Sequence, residues 1–192
     1  MLEEHVLLFF IWILYYVLHS LLASNWLKAK VKLKPKSFRL IYSMIASILL
    51  FLVLLLTATT YSQLIFMPGP IANYAGLMLS AIGIFILKRS FRQYSLREFV
   101  GLKVEEHPKL NTNGIQSKIR HPLYTGTILL FLGYFIFNPQ FSNLVMLLSL
   151  FLYLPFGIHF EEKKLIEVFG EDYATYKKQT PAILPNFKKK AS

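Results

Sequence analysis

The placement of positive charge constrains this chain more than any other feature of its sequence. All 21 Lys and Arg residues fall in three blocks, residues 28–39, 88–120 and 163–190, and the long runs between them contain none. A nucleic-acid binder needs a basic surface but has no use for such runs, whereas a chain that crosses a bilayer repeatedly needs both. Apolar residues reach 55% of the sequence, above the roughly 45–50% (Gly included) of soluble domains, and the mean hydropathy is +0.47. The net charge of +11 is therefore read as contact with membrane lipids, and nucleic acid is excluded as a partner. With no cysteine in the chain, disulfides, thiolate metal sites and a Cys nucleophile are excluded too.

A crossing requires about 20 mostly apolar residues. Five candidate spans lie at residues 6–24, 38–60, 71–87, 122–137 and about 141–160. The first follows Glu3 and Glu4 rather than a basic n-region, so it is expected to be a retained helix and not a signal peptide. The third follows the breaker "MPGP" and carries Ala75, Gly76, Ser80, Ala81 and Gly83, small residues that let membrane helices approach closely. The "NPQFSN" turn between the last two spans is so short that they must form an antiparallel hairpin.

Cytoplasmic loops are enriched in Lys and Arg. Lys28, Lys30, Lys32, Lys34 and Lys36 place the first loop inside, and the eight basic residues of 88–120 place the third inside. The uncharged "YSQLIFMPGP" and "NPQFSN" belong outside. Five spans with the N-terminus out and the C-terminus cytoplasmic satisfy every loop. The expected fold is all-α, a polytopic membrane helix bundle in one domain over residues 1–192. It has an N-terminal three-span part (1–100) and a C-terminal part (101–192) comprising a loop, the hairpin and an amphipathic segment. In that last segment, "EEKKLIEVFGEDYATYKKQ", one helical face carries Leu165, Ile166, Phe169, Tyr173 and Tyr176. Gly170 is placed to kink it, and Pro181 and Pro185 impose an extended tail. The terminal Lys188–Lys190 run is expected to touch anionic headgroups.

Two cytoplasmic stretches hold most of the informative polar residues: "LNTNGIQSKIRHPLYTG" and "HFEEKKLIEVFGEDYATYKKQTPAILP". Because the hairpin brings its two cytoplasmic ends together, Arg120 and His121 should approach Glu161 and Glu162. Taken singly, each has an ordinary explanation: Arg120 as a snorkelling cation, Pro122 as a first-turn proline, and Tyr124, Tyr173 and Tyr176 as interfacial aromatics. Their joint arrangement argues for a site. His19, with Ser20 beside it, is an ionisable group late in the first span and a functional candidate on that ground. Its spacing from His5, His107 and His159 defines no metal site.

The pattern "GIxxxIRHPxYxG", a hairpin, then "EExxLxxxFGxxYxxYxxxxPxxLP" resembles the integral-membrane methyltransferases related to isoprenylcysteine carboxyl methyltransferase and to phospholipid N-methyltransferases. The matching residues are Gly114, Arg120, His121, Pro122, Tyr124, Gly126, Glu161, Glu162, Leu165, Phe169, Gly170, Tyr173, Tyr176, Pro181 and Pro185. "LHSLLAS", a basic loop and "FRLIYS" resemble the methanethiol S-methyltransferase and NnrU-like branch.

The resemblance implies S-adenosylmethionine (SAM) as cofactor, held at the cytoplasmic ends of the fourth and fifth spans. Arg120, His121 and the loop at Gly114 and Ile115 are the candidates for its carboxylate. Glu161 or Glu162 would accept from its ammonium and ribose, while Leu123, Tyr124 and Phe169, behind Pro122, would border its adenine. Arg120, His121, Glu162 and His19 are the candidate catalytic residues. The acceptor is expected to be small or lipophilic and to arrive from the membrane. A carboxylate acceptor needs no base, whereas a thiol or amine must lose a proton to His121, a Glu or solvent. Two other classes stay open at this level, an NADPH-dependent enzyme resembling the sterol reductases and a non-catalytic membrane binding protein.

Overall fold

A computed structural model describes residues 2–93 and 109–186. His107 and the Lys188–Lys190 run lie outside the described residues, as does most of the expected loop ahead of residue 109. Among the described residues the chain forms helices α1 (Leu2–Leu22), α2 (Asn25–Lys30), α3 (Pro35–Thr59), α4 (Pro70–Gln93), α5 (Pro122–Phe137), α6 (Phe141–Phe169) and α7 (Glu171–Gln179). Proline opens α3, α4 and α5, where its missing N–H costs nothing and its fixed φ suits the first turn. Ser24 caps α2 by accepting from the Leu27 amide at 3.2 Å.

Four helices are long and apolar enough to cross a membrane: α1, α3, α4 and α6. The fifth expected span, α5, has only 16 residues, about 24 Å of helix against a hydrocarbon core of about 30 Å. The expectation of about five membrane helices thus stands as four of spanning length and one short apolar partner. At the fifth span the boundary is corrected. The 29-residue α6 runs straight through the presumed start of a surface helix, and at about 44 Å it projects beyond the hydrocarbon from about residue 161 onward. Gly170, at φ +57, ends it and turns the chain into α7, a conformation that glycine adopts without a Cβ penalty.

The core forms where α1, α3 and α6 meet. Trp12 is fully buried among Leu8, Tyr16, Val53, Met146 and Leu150. Its indole N–H, which needs a partner once buried, donates to Thr57 Oγ1 at 3.0 Å. On the face read as external, the α3–α4 loop is pinned to the α5–α6 turn: Ile65 N donates to Pro139 O at 2.8 Å and Phe141 N to Gln63 O at 3.1 Å. Ser62 Oγ accepts from Ser142 N at 2.8 Å and contacts His5 Nε2 at 3.2 Å.

α4 packs mainly on α5, and glycine sets how closely. A Cβ on Gly133 would lie 2.5 Å from Gly76 O and Ser80 N, and one on Gly83 would lie 2.6 Å from Leu130 N. The seven-residue spacing of Gly76 and Gly83 matches that of Gly126 and Gly133, so two backbones meet along one seam. Replacing Gly133 by Leu should therefore cost about 2 kcal/mol or more through overpacking. Gly69→Ala should cost little, since nothing lies within 4 Å of its Cβ position. Thermal unfolding of the two variants in the same detergent checks this contrast.

Candidate functional site

Pro181 and Pro185 keep the chain after α7 extended, and this strand of residues lies along the start of α5. Arg120 N donates to Pro181 O and His121 N to Ala182 O, both at 2.9 Å. Thr125 Oγ1 donates to Ile183 O at 2.8 Å. The Tyr176 hydroxyl reaches back to Gln116 O at 2.6 Å. Backbone groups ahead of Pro122 that no helix satisfies are thus satisfied by the C-terminal strap.

Beneath the strap sits Glu162, whose side chain is only 6% exposed. Its Oε1 accepts from Arg120 Nε at 2.9 Å and from Arg120 Nη2 at 2.6 Å. His121 Nε2 contacts the same oxygen at 3.1 Å, and Lys177 Nζ holds Oε2 at 2.7 Å. Arg120 Nη1 donates to the carbonyls of Lys177, at 3.0 Å, and of Thr180. One planar guanidinium thereby joins the α5 start, the projecting end of α6 and the strap. Burial pushes the Glu162 carboxyl up, but hydrogen bonds from Lys177, Arg120 and His121 and the field of Arg120 outweigh it, holding the group down to about 2. The adjacent Tyr173 phenol is raised above its usual range, first by burial and then by the Glu162 charge, so it stays neutral.

Glu161, one residue earlier and therefore about 100° around the helix, faces different company. Its carboxylate is 47% exposed, with Oε2 3.5 Å from His121 Nδ1. It interacts with the Tyr124 hydroxyl and acts electrostatically on His19, Tyr42 and Tyr153. His121 therefore stands between the two glutamates, one ring nitrogen toward each, with its ring 5.5 Å from that of Tyr124.

The structure gathers Arg120, His121, Tyr124, Glu161 and Glu162 as the hairpin argument expects. His19 belongs to the Glu161 surroundings and not to the Arg120–Glu162 cluster. Pro122 is buried at the first turn of α5. Leu123 and Phe169 are half-buried and add no polar contact to the cluster. Gly114 lies in an exposed turn at φ 62, followed by half-buried Ile115. Next comes Gln116, whose amide N and O are both buried without a hydrogen-bond partner among the described residues. Sequence reasoning missed Lys177, Thr180, Tyr42 and Tyr153. Lys177 had a usable signal, since it follows Tyr173 by four residues and so shares its helical face. An open groove of about 390 Å³ borders the cluster, lined by His159, Glu162, Lys163, Ile166, Glu167 and Lys177.

Arg120→Ala should cost about 3 kcal/mol, because it strips most of the compensation from a buried carboxylate, and should raise hydrogen exchange across residues 177–183. Glu162 is ionised more readily in the folded chain, at about 2 against 4.5. Its stabilising contribution is therefore complete above about pH 4.5 and is lost as pH falls toward 2. The melting difference between wild type and Glu162→Gln should stay constant from pH 7 to about 5 and close below that.

The sequence model of the family described as Phospholipid methyltransferase matches residues 71–172. Methanethiol S-methyltransferase of Crocosphaera subtropica is 30% identical over 189 residues, covering 90% of this chain and 71% of that protein. Methanethiol S-methyltransferase of Pseudomonas deceptionensis is 37% identical over 73 residues, 37% of this chain and 26% of that protein. Protein-S-isoprenylcysteine O-methyltransferase B of Arabidopsis thaliana is 27% identical over 144 residues, 70% of this chain and 72% of that protein. No solved structure gives a significant match. With more than half its length inside the family's matched region, and with a relative that matches 90% of it, the chain belongs to the phospholipid methyltransferase family of membrane methyltransferases.

Proposed function

We propose that this chain transfers a methyl group from SAM to a small or lipophilic acceptor at the cytoplasmic boundary of the membrane. The carrying observation is Glu161. It is a part-exposed carboxylate among His121, Tyr124, Tyr42 and Tyr153, beside a second glutamate that the protein has already neutralised. SAM bears a sulfonium and an ammonium. A carboxylate and aromatic faces are the groups that favour such cations, so the residues present fit the cofactor. When bound, SAM supplies an already activated methyl group.

The residues then divide their labour. Glu161 is assigned to the cofactor's positive charge, with His121 and Tyr124 fixing its direction. Arg120 is occupied by Glu162 and two carbonyls, so its role is to hold the strap in place. A strap seated over the α5 start keeps water from the reacting groups, and alignment plus dehydration is most of what an in-line methyl transfer requires. The amide N–H groups of the turn at Gly114 and Ile115 remain the candidates for the cofactor carboxylate. The charge distribution supports a cytoplasmic C-terminus and an external N-terminus, which puts this site on the side where the cofactor is made. The acceptor would reach it from the bilayer, between apolar helices.

Calorimetry on the purified chain should show SAM binding, and labelled-methyl transfer into membrane extract should yield a labelled product. Absence of both would sink the proposal. Glu161→Gln should weaken SAM binding about tenfold, as expected for loss of one charge-assisted interaction, without the loss of thermal stability expected of Glu162→Gln.

A further inference from the structure

A second constellation lies beside the Arg120–Glu162 cluster, walled by the N-terminal half of the chain. His19, near the C-terminal end of α1, buries its Nδ1 with no hydrogen-bond partner among the described residues. Its ring stands 6.0 Å from Tyr15 on the same helix and 6.3 Å from Tyr42 on α3. Ser20, the next residue, hydrogen-bonds to the Tyr153 hydroxyl of α6, and the Tyr153 ring stacks on Tyr16 at 4.7 Å. Glu161 acts electrostatically on both His19 and Tyr42. Three helices thus meet around an imidazole whose Nδ1 has no partner among the described residues. Buried polar atoms rarely stay so without a reason, and this imidazole lies within the field of the carboxylate assigned to the methyl donor.

We propose that His19 takes up the proton released when the acceptor is methylated, so that the acceptor is a neutral thiol or amine carrying a removable proton and not a carboxylate. This rests on the methyltransferase reading above. The charged groups on the elements about His19 are Glu161, Lys164 and Glu167 on α6, Lys28 on α2 and Arg39 on α3, with the hydroxyls of Tyr15, Tyr42 and Tyr153 on α1, α3 and α6. Lys164 is committed to the Ala23 carbonyl at 2.7 Å. The charge acting on His19 is the Glu161 carboxylate, which repels an anionic acceptor and favours an imidazolium once formed.

The step balances for a thiol. The S–H proton passes to His19 Nδ1, and the sulfur electron pair forms the new S–CH3 bond. The bond between the methyl carbon and the donor's sulfonium sulfur breaks, its pair remaining on that sulfur. A neutral acceptor and a sulfonium give a thioether, a neutral donor product and an imidazolium. An amine balances in the same way through nitrogen.

The test uses the full chain in nanodiscs, with His19→Ala and His19→Gln. Gln keeps a hydrogen-bonding side chain should Ala disturb folding. SAM affinity by calorimetry should stay within about twofold of wild type, while transfer to a thiol at pH 7 falls about 100-fold, the scale of a lost general base. The wild-type rate should rise through the histidine range and level off, whereas the variants should keep rising until the thiol itself ionises at higher pH. Added imidazole should restore part of the His19→Ala rate. Variants that keep the wild-type rate and pH profile, or that lose SAM affinity and gain nothing from imidazole, overturn the proposal. So does a wild type that methylates a carboxylate in preference to thiols and amines. A wild type that binds no SAM overturns the methyltransferase reading itself, which the calorimetry separates from failure of His19 alone.

Discussion

The architecture of the site depends on one buried carboxylate. Glu162 sits at 6% exposure, and an ion so placed is strongly disfavoured unless its lone pairs are matched. Arg120, His121 and Lys177 match them, and each comes from a different segment: the stretch leading into α5, the α5 N-cap and α7. The requirement to neutralise Glu162 therefore fixes where α7 lies and, through the Arg120 contacts to the carbonyls of Lys177 and Thr180, where the strap begins. Buried ion pairs often add little net stability over an apolar replacement, yet removing one partner is costly. The cluster accordingly acts as a register device. The apolar bundle would tolerate many positions of the C-terminal segment, and the cluster permits one.

The pairing of Glu161 with Glu162 acquires meaning only in three dimensions. Adjacent residues on a helix point about 100° apart, so one carboxylate enters the latch while the other meets the aromatic side chains of α1, α3 and α5. His121 touches both through different ring nitrogens. Displacing Glu162 would therefore turn the imidazole that also faces Glu161. The structural and the proposed chemical halves of the site are mechanically linked through a single ring.

Much of this was legible in the sequence, for definable reasons. Hydropathy and the spacing of basic residues locate the apolar helices, and α5 falls on its expected residues, 122–137. A six-residue uncharged turn forces a hairpin, and a hairpin forces Arg120 and His121 toward Glu161 and Glu162. These are local or topological constraints. What escaped depends on register between distant segments. Gly76 and Gly83 could be flagged as small, but not that Gly126 and Gly133 oppose them. The continuation of α6 through Glu161 was hidden because polarity changes at a membrane boundary while the hydrogen-bonded helix need not end there. The separate fates of the two glutamates were invisible, since motif spacing treats them as a pair. Lys177 was only one of the basic residues of the 163–190 block.

The division between the halves of the chain bears on what the family relationship can decide. The region matched by the family model, residues 71–172, takes in α4, α5 and α6 with Arg120, His121, Glu161 and Glu162. α1 and α3, which carry His19, Tyr15 and Tyr42, lie outside it. Relatives whose names specify as different acceptors as methanethiol and a prenylated cysteine share similarity with this chain, as expected if the common part serves the methyl donor. Acceptor choice would then reside in the helices that the family pattern leaves undefined, where a single change in α1 or α3 alters the surroundings of His19 without touching the Arg120–Glu162 cluster. The match to the Crocosphaera protein covers 90% of this chain and so takes in α3.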